Sequence, residues 1–371
     1  MIGFKQTTAV ALLAASFAVS NTAQAGLLYN IIDLGTLFGG PDSYGLDINA
    51  SGQVSGQASN PSGVAHAFVT NQTGQMIDLG AQFGRNDSIG MSINASGQVV
   101  GFSPNSINAH AFFTNTGGQV IDLGTLGGSQ SIGYGINDSG QATGWSSTSN
   151  GGYRAFVTGP GGQMIEMGTL GGANSFGYGI NASGQVTGAA MTASGSLHAF
   201  VTNLSGQMID LGTLPGGHDS LGWRVNVFGQ VTGQASTATD SRHAFVTNPS
   251  GQLIDLGTLG GHDSVGSGIN AYGQVVGYSD TKNGSREAFV TDNGTMVNLN
   301  TLLVSSATGW VLKEARGIND LGQITGYGMN NGLNHAYVLT PVTTVPVPEA
   351  IWLFSSAILG ITGLSRRKIR K

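Results

Sequence analysis

The chain has no cysteine. That one absence removes disulfides, thiolate metal sites and a cysteine nucleophile together. Charge is also scarce, at 9 % of 371 residues. Between the two ends no segment keeps a 3.6-residue apolar period, so long helices are not expected there. Glycine is abundant instead, with 62 positions, but it follows no three-residue period, which excludes collagen. Disorder is excluded by the 40 % apolar content and by 15 Phe, 9 Tyr and 4 Trp. A turn-rich all-β protein fits, because glycine supplies the positive-φ positions of tight turns.

The formal charge of −5 is unevenly spread. Lys5, Arg366, Arg367, Lys368, Arg370 and Lys371 lie in the termini, and Glu349 is the one acid there. The remainder is near −10, with eight bases against eighteen acids. Phosphate backbones are bound by Lys/Arg patches, so nucleic acid is not an expected partner.

Residues 1–25 read as a secretory signal peptide. Lys5 is the positive flank, Thr8 to Val19 the apolar stretch, and Ala23-Gln24-Ala25 the small-residue cleavage site before Gly26. The implied partner is the Sec export machinery. At the other end, residues 342–349 form a Pro-rich linker carrying Pro346, Pro348 and Glu349. An apolar span at 350–365 follows, short for a hydrocarbon core of ~30 Å, and a basic tail at 366–371 would hold the cytoplasmic side.

Between these ends lies one unit written seven times. The "IDLGTLGG" landmark recurs at Asp33, Asp78, Asp122, Glu166, Asp210, Asp255 and Asn298. "GINASGQVVG" recurs at Asn49, Asn94, Asn137, Asn181, Asn226, Asn270 and Asn319, and "HAFVT" at Phe68, Phe112, Phe156, Phe200, Phe245, Phe289 and Tyr337. Within the third unit, Ser131–Ile136, Gln141–Trp145, Ala155–Thr158 and Gln163–Gly168 read as strands, and Asn137 to Gly140 as a turn. Four short strands per unit of about 44 residues are the dimensions of a propeller blade.

The phase of the repeats favours a closed ring over an open stack. A lone "DLG" strand at Tyr29–Leu34 precedes the first full unit, and the last unit stops at Leu339 without one. The expected fold is therefore an all-β, seven-bladed β-propeller of four-stranded blades over residues 26–341. Its N-terminal strand completes the seventh blade and hides both sheet edges. Extra residues in "LNTLLVSSATGWVLKEARGIN", with Leu299, Leu302, Leu303, Trp310 and Leu312, are expected to pack at that seam rather than form a functional insertion.

Two resemblances follow from these motifs. Over Leu27–Thr340 the combined "GIN-x-SGQ", "HAF" and "DLGTLGG" pattern resembles the HAF family of extracellular repeats, which implies export and repetition but no particular activity. Val345–Lys371 resembles the PEP-CTERM sorting signal of Gram-negative bacteria. Pro348 and Glu349 match its first two motif positions, whereas Ala350 stands where a proline is usual. This resemblance implies recognition by an exosortase-type membrane protease, transient anchoring in the inner membrane, and release to the cell surface or the exopolysaccharide matrix.

Chemistry-bearing groups are few. His66, His110, His198, His243 and His335 occupy the "HAF" position, which holds Arg154 and Glu287 in the other two units, so a polar strand-start site is expected rather than a metal ligand. The loop after "DLGT" repeats Ser43, Ser88, Ser131, Ser175, Ser220 and Ser264, often behind an Asp. There His218-Asp219 and His262-Asp263 are the candidates for a cation or sugar contact. The plainer alternative is that these side chains satisfy turn backbone groups. No G-x-S-x-G, H-E-x-x-H, P-loop or dense calcium loop is present. No catalytic residue and no cofactor is therefore assigned. The expected role is a non-catalytic binding or structural module for extracellular polysaccharide or surface proteins. The alternative is an extracellular polysaccharide hydrolase or lyase.

Overall fold

The computed structural model describes residues 27–342, apart from 84–86, 105–107 and 160. The signal-peptide residues Ala23 and Ala25, the sorting motif Pro348 and Glu349, and the apolar span at 350–365 all lie outside the described residues. Among the described residues no helix is long and apolar enough to cross a membrane. Leu28–Val342 form one compact unit.

That unit is a seven-bladed β-propeller. Seven four-stranded antiparallel sheets follow the chain as simple meanders. The first blade runs from Ser43–Ile48 through Val54–Ser59 and Ala65–Thr70 to Met76–Asp78. Blades two to six repeat this order, and the first strands of neighbouring blades pack side by side around the ring. In the third, fourth and sixth blades the inner strand starts earlier than the repeat pattern suggested, at Gly127, Gly171 and Gly260. The preceding leucine there bridges to the second strand, as Leu126 does to Thr148, so the "LGG" segment is strand rather than return loop.

The seventh blade is built from both ends of the chain. Trp310–Ile318, Ile324–Asn330 and Leu333–Pro341 are joined by Tyr29–Asp33, which pairs antiparallel with Leu333–Pro341. The insertion packs on this seam. Leu299 is fully buried, Leu303 bridges to Tyr29, and the Val304 N–H donates to the Tyr29 carbonyl at 3.0 Å.

Each blade has the same core logic. The third strand buries one aromatic completely, Phe68 through Phe289 and finally Tyr337. Opposite it the second strand carries a glycine. A Cβ on Gly144 would stand 1.9 Å from the Ile132 carbonyl oxygen and 2.9 Å from the Phe156 ring, so only glycine lets the strands close over that ring.

The "GIN" asparagines form a continuous circuit. Each side-chain oxygen accepts the main-chain N–H of the fourth residue onward, closing its own turn, as Asn137 does for Gln141 at 3.0 Å. Each amide donates to the Gln four residues on and to the main-chain carbonyl of the next blade's Asn. Asn49 donates to Asn94, Asn94 to Asn137, Asn137 to Asn181 and Asn181 to Asn226. Asn226 then donates to Asn270, Asn270 to Asn319, and Asn319 back to Asn49. All seven are buried.

Candidate functional site

The "HAF" polar position is half of a pair within each blade. His66, His110, His198 and His243 bond through Nδ1 to Asp78, Asp122, Asp210 and Asp255 at 2.9–3.0 Å. His335 bonds Asp33 across the closure seam at 2.9 Å. Where the His is replaced, the partner changes with it: Arg154 meets Glu166 at 3.1 Å, and Glu287 accepts from the Asn298 amide. These pairs tie the third strand to the outermost one. At Asp33 burial works against the charge. The His335 ring, the Gly35 N–H and the Asn330 amide outweigh it and hold the carboxyl below its ordinary range.

The repeated loop serines are also structural. Ser131 Oγ accepts the Ala111 N–H at 2.9 Å and donates to the Gly124 carbonyl at 2.6 Å, both in the preceding blade. The neighbouring acids do the same. Asp219 accepts from the Leu197 N–H and Asp263 from the Arg242 N–H. His262 Nδ1 bonds its own neighbour Asp263 at 2.9 Å. Burial disfavours the Asp263 charge, but these donors hold its carboxyl below the usual value. His218-Asp219 and His262-Asp263 are not drawn into one ligand set: among the described residues no three His, Asp or Glu side chains are grouped to hold a metal ion.

Asp219 does line a cavity on the loop side of the fifth blade, about 480 Å3 in volume. Leu197, His218, Gln234, Asp240 and Arg242 complete most of its wall. Three positions fill the corresponding groove between other blades. Between blades three and four they hold Trp145, Tyr153 and Phe176, which meet with ring centroids 5.2–6.0 Å apart. Between blades four and five the same positions hold the smaller Ala189, Leu197 and Leu221, and there the cavity opens. Among the described residues the side chains of His218, Gln234 and Asp240 have no hydrogen-bond partner, so they are available to a ligand.

The strongest break in symmetry is buried. Between blades six and seven the three groove positions hold Tyr278, Arg286 and Glu314. Glu314 is 2 % exposed, yet its counterparts are Tyr44, Ile89, Ile132, Phe176, Leu221 and Val265. It pairs with Arg286 at 3.0 Å and with Arg316, and both guanidinium groups lie over the Tyr278 ring, at 4.3 and 5.7 Å. Burial first, and then the Glu314 charge, push the Tyr327 and Tyr337 hydroxyls well above their usual values. A second charge enters the channel from the fifth blade. Arg224 reaches the carbonyls of Tyr178 and Met91 and stands 3.9 Å from Asp47 of the first blade. Arg224, Asp47, Glu314 and Arg316 were not singled out in the sequence. The signal was there, as charges at inner-strand positions that are otherwise apolar, small or aromatic.

No protein-family model matches the chain, and no curated protein matches it either. Solved structures share the fold. A puromycin-hydrolyzing peptidase from Mycobacterium tuberculosis aligns with a TM-score of 0.53 at 12 % identity, over 82 % of this chain and 51 % of that one. Virginiamycin B lyase from Staphylococcus aureus aligns at 0.49 and 14 % identity, over 85 % of this chain and all of the other. An oligogalacturonate lyase in complex with manganese aligns at 0.49 and 10 %, over 86 % and 97 %. At such identities the likeness concerns the propeller scaffold alone.

Proposed function

We propose that the chain is an exported, non-catalytic binding module of the cell envelope or extracellular polysaccharide matrix, taking glycan at the loop-side cavity of the fifth blade. The observation that carries this reading is that cavity itself. It has the volume of a small-ligand site, and His218, Gln234, Asp240 and Arg242 offer donors and acceptors suited to sugar hydroxyls. The propeller scaffold supports it, because the seven repeated polar positions are spent on holding blades together. Export by the Sec machinery, with cleavage after Ala25, and sorting by an exosortase-type protease at Pro348 and Glu349 rest on the terminal motifs.

Calorimetric titration of the full chain in mild detergent with the producing organism's own extracellular polysaccharide tests it. Saturable heat that Gln234→Ala and Asp240→Ala abolish is expected. No heat from folded protein sinks glycan binding and leaves a structural or protein-contacting role. Release of shortened or unsaturated sugars during the titration would establish the hydrolase or lyase alternative instead.

A further inference from the structure

A second cavity, of about 90 Å3, lies in the channel, away from the loop-side pocket. Its lining comes from inner strands of several blades and is not seven-fold. Tyr134, Trp223, Arg224, Ser267, Tyr278 and Arg316 are the lining residues with polar side-chain atoms. Three of these residues carry a buried donor that finds no acceptor among the described residues: Trp223 Nε1, Ser267 Oγ and Arg316 Nε. Ser267 itself is only 8 % exposed. A buried group that leaves its hydrogen bond unmade destabilises the fold, so three around one small cavity call for a shared acceptor.

The charge of the lining says what kind of acceptor. Among the described residues its only ionised side chains are two guanidinium groups, Arg224 and Arg316, and no carboxylate lines it. Their counter-charges sit behind them: Asp47 is 3.9 Å from Arg224, and Glu314 pairs with Arg316 and Arg286. Water alone would satisfy some donors, yet an indole N–H and a guanidinium Nε–H can only donate, and an anion accepts from both with charge assistance.

The geometry points to a carboxylate-binding site in the channel, formed by Trp223, Ser267, Arg224 and Arg316. The cavity is well below the roughly 300–1,000 Å3 of sites that enclose a whole small ligand. It therefore takes the acid group of a ligand, or a small organic acid, rather than a sugar ring. The two guanidinium groups are each partly neutralised from behind, which favours a singly charged carboxylate over a phosphate dianion. The site stands independently of the loop-side cavity on the fifth blade.

The test is thermal melting of the full chain in mild detergent at fixed ionic strength, with acetate, inorganic phosphate or chloride as the added anion. A ligand that binds only the folded state raises the midpoint saturably. Acetate is expected to raise it, chloride is not, and Trp223→Phe and Ser267→Ala are each expected to weaken the acetate response at least tenfold in concentration. Ser267→Ala removes one donor and little volume, so it decides if Trp223→Phe, which also enlarges the cavity, fails to fold. Asp240→Ala, in the loop-side cavity, is expected to keep the full response. An acetate response no larger than that of chloride, or one equal in all variants, overturns the site. A response to phosphate alone overturns the carboxylate assignment.

Discussion

The Asn319 amide donates to the main-chain oxygen of Asn49 at 3.0 Å, although 270 positions separate them. That contact turns six successive Asn-to-Asn links into a closed circle. Sheet pairing at Tyr29–Asp33 closes the outside of the seventh blade, and the asparagine circuit closes the inside. The two closures are independent in sequence and can be tested separately.

Asn137→Ala interrupts the inner circuit without touching a hydrophobic contact. It removes the acceptor for the Ser139 and Gln141 N–H groups and leaves the buried Asn181 carbonyl without its cross-blade donor. The expected cost is about 1–3 kcal/mol, read as a lower urea midpoint with an unchanged slope. Asn115→Ala is the control. Asn115 makes a similar turn on the exposed side with no cross-blade bond, and its loss is expected to cost less.

The outer closure has an alkaline signature. Tyr29 is 1 % exposed, and burial, helped by the Asp292 charge, pushes its hydroxyl up to about 12 from 10.0. A group whose folded value is raised stabilises the fold fully below its unfolded value and loses that contribution as pH rises through the folded one. The window is therefore pH 10 to 12. Tyr29→Phe cannot ionise and is expected to gain on the parent protein across that window, on the order of 2–3 kcal/mol by its upper end. The other buried tyrosines lower both curves alike, so the difference isolates the seam. A constant difference between pH 8 and 12 would show that Tyr29 ionises without opening it.

The blade number, the strand order and the N-terminal closing strand were legible because seven near-copies repeat every local signal and the chain starts one strand out of phase. The asparagine circuit was not legible. A turn reading of Asn-x-Ser-Gly accounts for the side-chain oxygen, whereas the amide's second partner lies about 44 residues away and exists only once the next blade has packed alongside. The strand-to-strand pairs could have been found. His with Asp, Arg154 with Glu166 and Glu287 with Asn298 change together at matched positions of the repeat. The charged channel leaves no repeat signal, because its charges stand at positions that other blades fill with apolar, small or aromatic residues. The informative residues were those that did not recur, such as Arg224 and Glu314.

The second-strand glycines set a steric limit. A methyl group at Gly144 would meet the Ile132 carbonyl at 1.9 Å, a backbone atom that cannot swing aside. Gly144→Ala is expected to cost at least the 1–3 kcal/mol typical of an overpacked core, measured as loss of urea midpoint or of soluble yield. Gly151→Ala is the comparison. Gly151 has φ +83° but no atom near its missing Cβ, so strain alone acts there, and the smaller loss is expected. Equal losses would mean that conformational preference, and not the close approach of strands, fixes the glycines.

Glu314 provides the sharpest test of whether the channel charges serve the fold. Replacing Glu314 alone leaves Arg286 and Arg316 without their counter-charge, but both guanidinium side chains reach water, so Glu314→Leu is expected to cost less than the roughly 3–5 kcal/mol of a fully buried pair, on the order of 1–3 kcal/mol. Replacing the whole set with uncharged residues found elsewhere in the ring removes the charges together. Leu for Glu314 and Arg286 follows Leu221 and Leu197, and Ser for Arg316 follows Ser267. Swaps of buried ion networks for apolar groups are often neutral or stabilising by roughly 1–4 kcal/mol. The triple variant is therefore expected to recover the parent's urea midpoint or exceed it, while its acetate response in the channel disappears. Recovery of stability with loss of binding would assign the cluster to a ligand, because six other grooves stand without it. A triple variant as unstable as Glu314→Leu would instead make the cluster the clamp between the sixth and seventh blades.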